Sequence, residues 1–121
     1  MFLATTNKTR RLLHLSYIHN VTVAELERGY QEVVALLADF PDGFQMLADF
    51  GRLESMDIAC AEIIGRTMEM LEQHGVEMVV RVIPDSSKDI GLNIISIFHY
   101  QNQPRIVTCQ TMLEAARVLE L

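Results

Sequence analysis

The chain has no tryptophan, two cysteines, three prolines, and 10 basic side chains against 16 acidic ones in 121 residues. Each shortage excludes something. Cys60 and Cys109 lie too far apart for a disulfide framework, and no CxxC or Cys/His cluster supplies the ligands of a zinc site. His14, His19, His74 and His99 show no HxH or HExxH spacing, so no metal and no other cofactor is expected. A net charge of -6 argues against nucleic acid or anionic lipid as a partner, because both require a basic stripe. The one dense basic cluster, Lys8, Arg10 and Arg11, is too small to serve. The apolar runs, such as Met78 to Val80, are short against the ~20 residues of a membrane-spanning helix. Met1 to Ala4 are followed by Thr, Asn and basic residues rather than a signal-peptide core, so the expected location is cytoplasmic, with no membrane partner. The sequence contains no GxSxG, P-loop or GxGxxG, and nothing else marks it as an enzyme.

What is present is apolar content. Half of the residues are hydrophobic and 21% are charged, enough to fill the core of one domain spanning residues 1–121. Strand and helix signals alternate along it. Phe2 to Thr6 and Thr9 to Ile18 read as a hairpin around Asn7-Lys8, the second strand alternating Leu13, Leu15 and Tyr17 at period two. Thr22 and Glu25 have capping-box spacing, and Val21 with Leu26 fits a hydrophobic staple. A helix therefore starts there, carries Leu26, Tyr30, Val33, Val34 and Leu37, and ends at Pro41-Asp42-Gly43. Phe44 to Phe50 reads as a short strand. Ser55 or Asp57 then caps a helix with the stripe Cys60, Ile64, Met68, Leu71, closed by His74-Gly75. Val76 to Ile83 reads as a buried parallel strand stopped by Pro84. Ser86 to Asp89 offers a cap for a third helix bearing Ile90, Ile94, Ile97 and Phe98. Arg105 to Thr108 reads as the last strand, and Thr108 or Thr111 starts a final helix through Leu113, Ala116 and Leu119. The expected class is α/β in the order ββαβαβαβα: an N-terminal hairpin, a mostly parallel sheet of four or five strands, and about four helices.

The segment Ala48 to Cys60, reading ADFGRLESMDIAC, resembles the signature of STAS domains, the sulfate-transporter and anti-sigma-factor-antagonist family. Asp49 matches a strand-end Asp and Met56-Asp57 an apolar-Asp pair, and the later segments from Gly75, Gly91 and Arg105 fit the family's remaining elements. The resemblance covers essentially the whole chain and implies the SpoIIAA-like fold. It also implies a phosphorylatable Ser or Thr after the Asp. That position is Ile58, followed by Ala59 and Cys60, and isoleucine has no oxygen to phosphorylate. The resemblance therefore implies a divergent member without the phosphorylation switch.

Several candidate residues each have two readings. Cys60 would be either a thiol activated at a helix start or a packing residue of its stripe; the second is favoured because no histidine lies nearby in sequence. Arg81 interrupts an apolar strand and needs a partner, for which Asp49 on the neighbouring strand is the candidate. The pair would fix strand register or, with Asp57 at the carboxyl edge of the sheet, line a polar pocket. Lys88, beside Ser86, Ser87 and Asp89, would hold an anion or simply belong to a helix cap. Ile90 to Tyr100 is more apolar than one buried helix face requires, so Ile94 and Phe98 would meet either the core or a partner. The expected function is a non-catalytic interaction or regulatory module. It would bind another protein, or itself as a homodimer, through the second and third predicted helices. The alternative is a domain that binds or senses a small lipid or anion in a pocket at the carboxyl edge of the sheet.

Overall fold

Between Asn7 and Leu12 the chain reverses in a tight turn. The Asn7 carboxamide oxygen accepts from the Arg10 N–H at 3.2 Å, Arg11 donates its N–H to the Lys8 carbonyl, and Arg11 takes a left-handed φ of 51°. The turn consumes residues 8–11, so the second strand starts at Leu12 rather than Thr9. The computed structural model describes residues 1–85, 99–100 and 104–121. Its elements are β1 (Phe2–Asn7), β2 (Leu12–Val21), α1 (Val23–Leu37), β3 (Gln45–Met56), α2 (Cys60–Gln73), β4 (Met78–Val82), β5 (Arg105–Cys109) and α3 (Met112–Val118). The third predicted helix, with Lys88, Ile94 and Phe98, lies outside the described residues.

The strands form one five-stranded sheet in which spatial order follows chain order. β1 pairs antiparallel with β2, and every later pairing is parallel. Each parallel pair needs a crossover, which α1 supplies between β2 and β3 and α2 between β3 and β4. Two of the helix N-caps expected from sequence are formed, while α2 has Ala59 at its N-cap, rather than Ser55 or Asp57, and no side-chain cap there. The Thr22 hydroxyl accepts from the Glu25 N–H at 3.2 Å, and the Thr111 hydroxyl from the Glu114 N–H at 3.2 Å, which settles the last helix start on Thr111 rather than Thr108. At the end of α2, Gly75 adopts φ 85° while its N–H reaches the Glu72 carbonyl and the Val76 N–H reaches that of Leu71. That double closure is a Schellman motif and needs the left-handed conformation glycine adopts freely.

Two departures from the sequence reading matter. β3 runs to Met56, well past Phe50, because its polar second half continues to pair with the end of β2, from Ile18 beside Arg52 to Val21 beside Met56. In α3 the buried residue is Ala115, joined by Leu119 at its C-cap with Val118 beside them, whereas Leu113 is 62% exposed. Two residues turn a helix by about 200°, so Leu113 and Ala115 cannot share a face.

The sheet divides the core in two. On one side α1 and α2 cover Leu13, Leu15, Tyr17, Phe44, Met46 and Phe50, with the Tyr17 and Phe50 rings stacked at 4.4 Å. α1 approaches β1 closely at Gly29, where a side-chain methyl would overlap the Phe2 ring. On the other side α3 packs over Leu47, Val80, Val82 and Cys109. No helix among the described residues is long and apolar enough to cross a membrane.

Candidate functional site

The end of β3 leads directly into α2 through Asp57, Ile58 and Ala59. The Asp57 carboxylate accepts from the Ala59 N–H at 2.9 Å, and its backbone carbonyl accepts from the Cys60 N–H at 2.9 Å. The Ile58 carbonyl accepts from Ala61 at 3.1 Å. This tight turn starts the helix with an acidic side chain at its positive end, a favourable arrangement. Between the two anchored residues Ile58 projects outward and is 91% exposed. Two positions later Cys60 is fully buried, its thiol directed at the Val21 carbonyl. Burial, and then the nearby Asp57 carboxylate, push the Cys60 thiol above its ordinary pKa. A thiol so placed is a packing residue rather than a nucleophile. The rest of its stripe, Ile64, Met68 and Leu71, is buried as expected.

The chain on either side of Ile58 is acidic. Glu54, Asp57 and Glu62 are all exposed, and Glu54 lies 3.7 Å from His19 across the β2–β3 pairing. The Ser55 hydroxyl is tied to the Asn20 carboxamide in the same pairing. Sequence reasoning missed these contacts because they depend on β2 and β3 pairing beyond Phe50.

The expected pairing of Asp49 with Arg81 is not formed. In register Ala48 lies beside Arg81 and Asp49 beside Val82, so alternation directs the two side chains to opposite faces of the sheet. Asp49 accepts instead from the Gly51 N–H at 2.8 Å, where β3 parts from β4. Arg81 is buried on the α2 face and donates to the Thr108 hydroxyl at 3.3 Å. It borders a cavity of about 30 Å³ with Tyr17, Thr67 and Tyr100, room for a water or two. Burial raises the phenol pKa values of Tyr17 and Tyr100. Arg81 and Asp57 also part company at the carboxyl edge of the sheet. The groove at the carboxyl edge of the sheet is lined by Ser16, Asp49, Arg52, Val82, Gln110 and Met112, and neither Asp57 nor Arg81 belongs to its lining.

Midway along α2, Gly65 lets the His99 ring lie against the helix, and His99 Nδ1 sits 2.6 Å from the Glu69 carboxylate. This contact ties residues 99–100 to α2, next to buried Tyr100.

An uncharacterized protein of the DUF3478 family from Shewanella loihica PV-4, described as having a SpoIIAA-like fold, is similar over 98% of this chain and 92% of its own. The TM-score is 0.71 at 11% sequence identity. The chain has the SpoIIAA-like fold. The anti-sigma factor antagonist SpoIIAA itself is similar in its unphosphorylated form (TM-score 0.63, 15% identity, 99% of this chain and 98% of that one). An anti-sigma factor antagonist from Mycobacterium paratuberculosis is similar too (TM-score 0.62, 16% identity, 100% of this chain and 94% of that one). No protein-family model matches the sequence, and no curated protein is similar to it in sequence.

Proposed function

We propose that this SpoIIAA-like chain is a non-catalytic regulatory module that binds a partner protein through the start of α2, without a phosphorylation switch at that point. The observation that carries the reading is Ile58, an isoleucine 91% exposed at the position where the STAS resemblance expects a hydroxyl. An apolar knob on a rigid turn is a suitable anchor, since burying one isoleucine side chain contributes about 1.5–3 kcal/mol. Exposed Glu54, Asp57 and Glu62 flank it along the chain, so the fitting partner surface is an apolar socket with a basic rim. The partner so described is a protein rather than a nucleic acid. Cys60 supports the absence of chemistry, being buried and held protonated.

The test places a photo-crosslinking residue at position 58 and, as a control, at exposed Gln31 on α1. Crosslinks to one protein from position 58 alone are expected, suppressed by an excess of the unmodified chain but not by an excess of the Ile58→Asp variant. Equal crosslinking from both positions counts against the reading. Incubation with an anti-sigma-type kinase is expected to leave residues 55–60 unmodified, and phosphate recovered there by mass spectrometry would overturn it.

A further inference from the structure

The outer edge of β1 is an open row of backbone groups. β1 ends the sheet, and Met1 and Ile18 exchange backbone hydrogen bonds of 2.7 and 2.8 Å. Antiparallel alternation then turns the N–H and C=O groups of Leu3, Thr5 and Asn7 toward β2 and those of Phe2, Ala4 and Thr6 outward. Proteins usually shield such an edge with a lysine, a proline, a bulge or a covering element. Among the described residues β1 has none of these. Its sequence FLATTN contains no charge and no proline, its register with β2 is unbroken, and no described residue hydrogen-bonds the outward groups. The opposite edge, β5, begins with exposed Arg105.

We propose that β1 pairs antiparallel with β1 of a second copy of this chain, about a two-fold axis at Ala4, joining the two sheets into one. The register is self-complementary. Ala4 faces Ala4 of the second copy and Phe2 faces Thr6, so the outward N–H and C=O groups of Phe2, Ala4 and Thr6 are all satisfied. On the face away from α1, Leu3 comes to lie opposite Thr5 of the second copy, covering part of a side chain that is 48% exposed in the single chain. Charge favours this contact over others. Two copies of a chain of net charge -6 repel, and an uncharged strand is where they approach at least cost. A strand edge alone is a small interface, so the dimer is weak and reversible.

Analytical ultracentrifugation and amide hydrogen exchange, each from dilute to near-millimolar protein, test the proposal. The mass is expected to rise from monomer to dimer. The Ala4 and Thr6 amides are expected to exchange about tenfold more slowly in the concentrated sample, while those of Leu3 and Thr5 are protected throughout. Ala4→Pro removes an outward donor without touching the ladder to β2, and is expected to give a monomer with an unchanged unfolding midpoint. Leu3→Lys combined with Thr5→Lys sets like charges directly opposite one another across the pairing and is expected to do the same; it decides the matter if the proline variant does not fold. A monomer at every concentration, a dimer that survives the lysine pair, or Ala4 exchange independent of concentration overturns the proposal. None of these outcomes bears on Ile58, which is not part of the proposed pairing.

Discussion

On one face of the sheet α1 and α2 enclose Leu13, Leu15, Phe44 and Leu71 together with the stacked Tyr17 and Phe50 rings, whereas on the other α3 covers Leu47, Val80 and Val82 above β3–β5. Over β1 and β2 that second face keeps Leu3 exposed and His14, Ser16 and Ile18 half-buried. The difference separates two tasks. The first face supplies most of the buried apolar area and therefore most of the stability. The second leaves sheet surface and an edge strand uncovered by the described residues.

The comparison can be broken by truncating one side chain on each face. Leu71→Ala, at a fully buried position, is expected to cost about 4 kcal/mol, and Leu119→Ala, near the end of a short helix, about 2 kcal/mol, as read from urea denaturation. Equal losses would show that the α3 face contributes as much as the other.

A second effect is specific to the first face. Tyr17 is buried there with its phenol pKa raised, chiefly by loss of hydration and then by Cys60. The unfolded chain therefore releases this proton first, and stability, complete below pH ~10, falls as pH rises through the folded value. One such group contributes a slope of up to ~1.4 kcal/mol per pH unit, so Tyr17→Phe is expected to flatten the alkaline limb of a stability-versus-pH curve by up to that amount. An unchanged limb would assign alkaline unfolding to other groups. Smaller still, Thr22→Ala and Thr111→Ala should each cost about 1 kcal/mol through loss of a helix cap. Comparison of their thermal midpoints then asks whether α1 and α3 are equally coupled to the whole fold. The smallest stability effect belongs to Ile58→Asp, expected to stay within about 0.5 kcal/mol while the variant loses its ability to compete for the crosslink described above.

Much of this architecture was legible in local sequence. Thr22 with Glu25, Thr111 with Glu114, and His74-Gly75 mark helix ends through contacts made within a few residues, and the Cys60, Ile64, Met68, Leu71 stripe follows from helical periodicity alone. The SpoIIAA-like fold could be read from the order of these elements. What escaped was set by pairing between distant segments. Gly51, Arg52, Glu54 and Ser55 look like a loop because no local signal reports that β2 lies alongside them. Asp49 and Arg81 look like partners until register assigns them to opposite faces, and a shift of one residue would have reversed that result. Cys60 and Ile58 illustrate the same contrast within one turn. Helical phase predicts that Cys60 is buried, but the exposure of Ile58 depends on how the end of β3 meets α2.

The β2–β3 pairing outlasts its neighbours. It parts from β4 at Asp49 and continues as a two-stranded ribbon to Met56, with register breaks between Ser16 and Ile18 and between His19 and Asn20. Such a ribbon can gain or lose a residue at a break while the packed sheet stays as it is. Over evolutionary time, the tip that leads to Ile58 can thus be re-aimed while the core sequence stays under its own separate selection.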